Sequence, residues 1–332
     1  MNTIDLPTGK LFVHTYSKGE LETLSIGDYG KSKNIKADFL GYTRELNGVA
    51  NGDILPLQEK WVITVSTQYG CTMNCTFCDV PSINYKGNAT VFDLQEQLYS
   101  AIRMYPNVKY TDRLNLHYAR MGEPAHNAEA VLAFSKFIVG NKDVIFEDTG
   151  LRIETLHPVF TTSCPKNVDL KTILNKWCDI KNKDYNGQAG LQLSINSTNE
   201  EQRNEMFGNK SLSLKQISDI AKTLPNPLGR KYTLNFAYST DYEIDGDKLA
   251  ELFDPKFWMV KITPIHNNNA CVKNGVETVD GYHSFTPYRE PEESCKKAGF
   301  DVLIFVPSQD EEDGAVTCGN AIVAGSKINL KS

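Results

Sequence analysis

From residue 61 onward the chain alternates β-like runs with helical ones, and this order restricts the fold more than any other feature. Trp61–Gln68 (WVITVSTQ) is β-branched and mostly apolar, as a strand requires. Residues 91–105 then carry Phe92, Leu94, Leu98, Ile102 and Tyr105 at helical spacing. The same reading gives strands at 114–119, 152–161, 191–196, 232–238 and 258–265. Helices fall at 128–139, 169–180, 212–224, 246–253 and 290–298, and a last apolar run spans 302–306. Strands separated by helices pair in parallel through right-handed crossovers. Six such units suit a partial, open barrel, whose ligands would lie at the carboxyl ends of the strands.

Residues 1–60 do not follow the pattern. Short β-like runs at 11–15 and 21–26 and a glycine- and asparagine-rich loop at 47–53 suggest a small β extension packed on the barrel. The expected organisation is therefore 1–60 as the N-terminal β extension, 61–306 as the partial barrel and 307–332 as a C-terminal tail. The composition fits an ordinary soluble protein: among 332 residues, 40% are hydrophobic and 23% charged. The formal charge of −6 argues against a sequence-independent grip on nucleic-acid backbones, which needs clustered Lys and Arg. No run is apolar for long enough to span a membrane, and the first residues lack the basic start and apolar stretch of a signal peptide. A cytoplasmic setting, where thiols stay reduced, is expected.

Three of the eight cysteines, Cys71, Cys75 and Cys78, fall in the loop directly after the first barrel strand. Thiols this close in a reducing compartment suit a metal. A four-iron cluster held by three thiolates keeps one iron without a protein ligand. A structural zinc site is the competing reading, with His117 the next His or Cys in sequence. Cys178 and Cys295 fall on helices as core thiols, and Cys271 lies in an asparagine-rich loop.

Gly70–Cys78 (GCTMNCTFC) resembles the radical S-adenosylmethionine (SAM) motif C-x3-C-x2-C. Met121–Asn127 (MGEPAHN) is similar to the M-G-E-P-x-x-N segment of the ribosomal RNA adenine methyltransferases of that superfamily and of the chloramphenicol–florfenicol resistance methyltransferase. The resemblance continues through Leu193–Asn196, Asn199–Arg203, Lys261–Ile265 and Ala298–Phe300 to Cys318-Gly319, about residues 61–320. It implies an α/β fold, a partial (β/α)6 radical SAM barrel, with a [4Fe-4S] cluster on Cys71, Cys75 and Cys78 and SAM on its open iron. Gly122 and Glu123 would form the SAM-binding turn, Glu123 facing the SAM ammonium. A helix-N-terminal carboxylate is the plainer reading of Glu123. Ser163 and Ser194 would contact ribose and methionine, Asn196 stands where a His is usual, and His266 or Asn267 matches the family's cofactor-reading Asn.

The resemblance further implies that one SAM methylates Cys318 and a second supplies the radical that activates this methyl group for attack on an sp2 carbon. An ordinary tail cysteine is the alternative reading of Cys318. The family's product-releasing cysteine, seven residues before the first cluster ligand, is here Thr64, which cannot form a disulfide. Cys164 is a possible replacement, though buried packing is the simpler reading. The family's RNA-binding domain has no counterpart in residues 1–60. The basic stretch expected before the terminal C-G is replaced by 306–314, with four consecutive acids, Asp310–Asp313. Both departures disfavour ribosomal RNA as the substrate. Glu22 matches a family strand bearing a candidate proton acceptor, but the longer spacer to the barrel suggests a solvated edge-strand carboxylate.

The implied activity is a radical SAM C-methyltransferase acting on a nucleobase-like or small planar molecule. Its partners would be that small-molecule or nucleotide-like substrate and an electron donor such as flavodoxin or ferredoxin. The alternatives are a non-methylating 5′-deoxyadenosyl-radical enzyme acting on a small molecule or peptide, an RNA adenine C-methyltransferase, and a non-catalytic cluster or zinc protein.

Overall fold

The computed structural model describes residues 1–27, 56–276, 286–307 and 309–329. The loop expected at 47–53 lies outside them. One ten-stranded sheet organises the chain. It runs β1 (Asn2–Leu6), β2 (Gly9–Tyr16), β3 (Gly19–Gly27), β4 (Trp61–Val65), β7 (Tyr110–Tyr118), β8 (Arg152–Thr162), β9 (Gly190–Ser194), β10 (Tyr232–Tyr238), β11 (Trp258–Pro264) and β12 (Asp301–Ile304). The ribbon of β5 (Gln68–Tyr69) and β6 (Gly87–Asn88) stands apart. Every pair from β4 to β12 in the main sheet is parallel.

Two features go beyond the sequence reading. The apolar run before the tail is a seventh parallel strand, since Val260 and Ile262 of β11 register with Val302 and Ile304. The N-terminal strands are antiparallel and continue the barrel sheet, because β3 pairs directly with β4, Leu24 opposite Thr64. They cover what would otherwise be a bare edge of backbone donors and acceptors. The strand beginning at Trp61 also stops three residues earlier than expected. Ser66 leaves the ladder, and its backbone N–H and C=O bond the Gln97 side chain at 2.8 and 3.0 Å.

The helices form where the pattern places them, helped by local caps. Thr90 and Asp93 make a reciprocal capping box on the helix Val91–Arg103, and Ser213 and Gln216 do so on Leu214–Ala221. Short helices at Lys142–Thr149, Glu200–Met206 and Asn269–Asn274 were not foreseen; at six to eight residues their periodicity is too brief to read. The core lies between sheet and helices. Trp177 packs against Phe160 with ring centroids 5.2 Å apart, and Trp61, Leu98 and Leu174 are fully buried. Burying a side chain of this size contributes roughly 1.5–3 kcal/mol. Among the described residues no helix is long and apolar enough to cross a membrane.

Candidate radical SAM site at the carboxyl ends of the strands

The cysteine loop sits at the carboxyl end of β4, and its backbone is tied down on every side. Thr76 N–H donates to Met206 O at 3.0 Å, and Lys210 Nζ donates to Thr72 O at 2.8 Å. Asn268 Nδ2 donates to Phe77 O at 3.0 Å and Asn274 Nδ2 to Thr76 O at 2.7 Å. Cys71, Cys75 and Cys78 are each partly exposed, and all eight cysteines are free thiols. Desolvation pushes Cys71 up to about 11, and desolvation with the neighbouring thiols raises Cys75 and Cys78. Three crowded thiols of this kind ionise when a strongly positive metal centre takes them as ligands. Among the described residues no three His, Cys, Asp or Glu side chains gather as ligands to one ion. Three thiols on one loop are a donor set that fits a four-iron cluster, in which each thiolate binds a different iron and one iron keeps no protein ligand.

The Gly122-Glu123-Pro124 turn lies beside this loop, and Gln68 couples the two. Gln68 Oε1 accepts from Glu123 N–H at 3.0 Å, from Thr72 N–H at 3.2 Å and from Thr72 Oγ1 at 3.0 Å. Gly122 has φ +96°, and an added Cβ would stand 2.6 Å from Gln68 Cβ. Only glycine accepts both the dihedral and the contact. Sequence reasoning missed Gln68, because a strand-end glutamine carries no motif. Glu123 is buried. Its Oε2 accepts from Ser163 N–H at 2.9 Å and Oγ at 2.5 Å, and its Oε1 accepts from Ala125 N–H at 2.9 Å. Glu123 thus caps the 3-10 turn Pro124–Asn127 and also fixes Ser163.

The other candidate cofactor residues are placed unevenly. Ser194 ends β9, partly buried. Asn196 takes φ +63°, a conformation Asn tolerates, and its Oδ1 accepts from Ala237 N–H at 3.0 Å. His266 is buried, with Nδ1 2.6 Å from Glu312 Oε2. Asn267 is exposed, whereas its neighbour Asn268 reaches the cysteine loop. The buried cap of the helix Asn269–Asn274 is therefore position 268, one beyond the expected residue.

The C-terminal segment returns over this loop. Gly319 O accepts from Asp79 N–H at 2.8 Å and from Asn268 Nδ2 at 3.3 Å; a Cβ on Gly319 would lie 2.8 Å from Phe77 O. Cys318 is exposed on a cavity of about 320 Å³ within the barrel. Thr64, His117, Thr263 and His266 share that cavity with it. The described tail is anchored twice more. Ser326 Oγ donates to Asp79 Oδ2 at 2.6 Å, and Thr317 Oγ1 lies 3.2 Å from Glu312 Oε2.

One expectation is corrected here. Glu22 is not a solvated edge carboxylate: its strand has neighbours on both sides, and the residue is 0% exposed. Arg120 donates Nη2 and Nε to Glu22 Oε2 at 2.6 and 2.9 Å, and Val323 N–H donates to Oε1 at 2.6 Å. Arg120 Nη1 also bonds Ala315 O at 3.1 Å, so the pair clasps the tail on both sides of Cys318. The acidic stretch is partly turned inward. Glu311 is buried at the cavity and Glu312 meets His266, so these two acids serve inner contacts. Of the remaining thiols, Cys164, Cys178, Cys271 and Cys295 are buried and none lines the cavity. Cys164 Sγ is directed to Thr162 O, as packing predicts.

Comparison with known proteins agrees with this geometry. No family model matches the chain. The dual-specificity RNA methyltransferase RlmN 2 of Myxococcus xanthus is 24% identical over 273 residues, covering 80% of this chain and 65% of that protein. A probable dual-specificity RNA methyltransferase RlmN of Leptospira biflexa is 27% identical over 218 residues, covering 64% of this chain and 54% of its own length. The chain thus spans only about half to two thirds of these relatives. Among solved structures, a radical SAM methyltransferase from Sphaerobacter thermophilus superposes with TM-score 0.64 at 17% identity, over 96% of this chain and 80% of that one, a likeness of fold. With the cysteine loop at the head of its parallel strands, the chain is similar in sequence to the RlmN-type RNA methyltransferases and shares its fold with a radical SAM methyltransferase.

Proposed function

We propose that the chain is a radical SAM enzyme that functionalises an sp2 carbon of a small planar, nucleobase-like substrate, with Cys318 carrying the one-carbon unit. The observation that carries this reading is the docking of the Cys318-Gly319 turn on the cysteine loop while Cys318 opens onto the barrel cavity. Cys71, Cys75 and Cys78 would hold a [4Fe-4S] cluster, and Glu123 would receive the SAM ammonium group. When bound and given an electron by a donor such as flavodoxin or ferredoxin, that cofactor pair would supply adenosyl-radical chemistry.

The chain's own residues orient and enclose. Gln68 holds the Glu123 turn in register with the cysteine loop, and Ser163 fixes the Glu123 carboxylate. The tail, clasped by Glu22 and Arg120, keeps Cys318 at the cavity and limits entry of water. A reducing cytoplasm suits eight free thiols. A substrate inside the barrel is favoured over a folded RNA by the cavity's size and by its position within the strands.

One observation favours a second reading. Thr64 lines the cavity with Cys318 but offers no thiol, and no other cysteine reaches it. A chain that has lost the methyl-cysteine route would abstract hydrogen from a small molecule or peptide directly. SAM labelled at its methyl group separates the readings. Label on the Cys318 peptide, and loss of product but not of 5′-deoxyadenosine in Cys318→Ala, supports the first. Full turnover by that variant refutes it. Label transferred to an RNA oligonucleotide in preference to free nucleotides would establish the RNA adenine alternative suggested by the relatives' names.

A further inference from the structure

Arg203 is the largest charged side chain in the interior of the described chain, at 0% exposure. It lies on the helix Glu200–Met206, whose last turn is docked on the cysteine loop. Thr76 N–H reaches Met206 O, and a Cβ on Gly208 would stand 2.8 Å from Asn74 O. The guanidinium carbon sits 4.7 Å from the centre of the Phe207 ring, and that ring meets Phe77 of the loop at 6.1 Å. Phe207 belongs to one apolar cluster with Met73, Met206 and Ile265, against which Cys71, Cys75 and Phe77 pack. A positive charge is thus held behind the three thiols, out of reach of water.

Its compensation is incomplete. Nη2 donates to Ser211 Oγ at 2.6 Å and lies 3.5 Å from Ser163 O, but Nε and Nη1 have no partner among the described residues. No carboxylate among those residues pairs with it. Glu200, three residues earlier on the same helix, accepts from Leu214 N–H at 2.8 Å through Oε2 and leaves Oε1 unbonded. Burial opposes the guanidinium charge most strongly, and Cys164, Glu200 and Cys75 are the groups that favour it through space. Cys164 stays a neutral thiol, since burial pushes it up to about 12. A buried cation without its own counter-ion is costly, and the cost falls when a negative group is brought beside it. Cys75 belongs to the loop where thiolates would gather.

We infer that Arg203 sets the reduction potential of the cluster proposed for this loop, by holding a buried positive charge behind Cys75. Three thiolates outweigh the positive charge of a cubane of iron and sulfide, and an added electron deepens the excess. In apolar surroundings that electron is poorly accommodated, and a fixed cation close by favours the reduced state. One electron enters from the donor; no proton moves, and no bond forms or breaks. In this role Arg203 touches neither substrate nor SAM and acts through the cluster alone. The inference rests on the reading of Cys71, Cys75 and Cys78 as cluster ligands.

The test is a redox titration of the protein reconstituted with iron and sulfide, read by electron paramagnetic resonance and first run without SAM. Arg203→Met should disfavour the reduced cluster about tenfold or more, a lowering of about 59 mV per tenfold for one electron. Arg203→Gln, whose amide can still bond Ser211, should shift it the same way and stands in if the Met variant does not fold. Arg203→Lys, which keeps the charge, should recover most of the shift. The sign separates charge from damage: a loosened loop admits water, which raises the potential, whereas loss of a cation lowers it. A potential unmoved or raised in Arg203→Met and Arg203→Gln, or lowered equally in Arg203→Lys, overturns the inference. Weaker SAM binding at an unchanged potential also overturns it, and would assign the guanidinium to the SAM carboxylate. Wild-type protein that forms no reducible cluster, or takes zinc instead, overturns the proposed function and this inference together. A reducible cluster indifferent to residue 203 overturns the inference alone.

Discussion

Replacing Arg120 by Met tests how the tail that bears Cys318 is held. The Glu22–Arg120 pair is almost completely buried, with side chains 0% and 2% exposed. Without the guanidinium, Glu22 Oε2 loses both its donors and Oε1 keeps only the Val323 N–H. Removing one partner of a buried pair costs about 3–5 kcal/mol, since the remaining charge stays desolvated. Unfolding entropy near the melting point is about 2.1 cal/mol/K per residue, hence about 0.7 kcal/mol/K for 332 residues. The expected fall in melting temperature is therefore about 4–7 °C. The Ala315 carbonyl loses its donor as well, so amide exchange should quicken through 315–323 while the β7–β8 core keeps its protection. Glu22→Gln combined with Arg120→Met, which leaves no buried charge, should recover most of the loss. Calorimetry with mass-resolved hydrogen exchange reads all three quantities. An unchanged melting temperature with unchanged exchange at 315–323 would show that the pair neither bears stability nor holds the tail.

Other perturbations address the rest of the site. Gly122→Ala imposes a Cβ at φ +96° and 2.6 Å from Gln68; it should cost about 2–4 kcal/mol and lower SAM affinity as the Glu123 turn parts from Thr72, measured by melting and equilibrium binding. Cys71→Ala should give protein without the brown cluster chromophore and with iron content reduced towards zero, while far-ultraviolet dichroism still shows the barrel. His14 and His157 are lowered from 6.5 to about 4, by burial first and then by nearby positive charge. The unfolded chain therefore binds more protons than the folded one between those values. Their contribution is complete above pH 6.5 and is lost as pH falls towards 4. His157→Gln should flatten the slope of melting temperature against pH in that window only, and an unaltered slope would contradict the assignment.

The positions of strands and helices were legible because burial on two faces writes a period into the residues between Trp61 and Ile265. The cysteine loop was legible as a candidate cluster site because its thiols are local, three within eight residues. Glu123 was read through the turn around it, but its partner Ser163 stands 40 residues away. Gln68, Asn268 and the Glu22–Arg120 clasp escaped because none belongs to a local pattern. Glu22 was misread because the sequence does not say which strand lies beside β3.

What the sequence by itself determined, then, is the order of elements and the chemistry of one loop, since periodicity and close spacing act over a few residues. Only the tertiary structure decided that β1–β3 extend the sheet on one side, that a seventh parallel strand extends it on the other, and that the tail returns 195 residues from Arg120 to Ala315 to place Cys318. The same folding gathered Lys60, Arg113, Arg230 and Lys261 around one cavity. Strand register sets which distant side chains share an interior, and register is fixed by the packing of the whole sheet, on which no short stretch of residues has information.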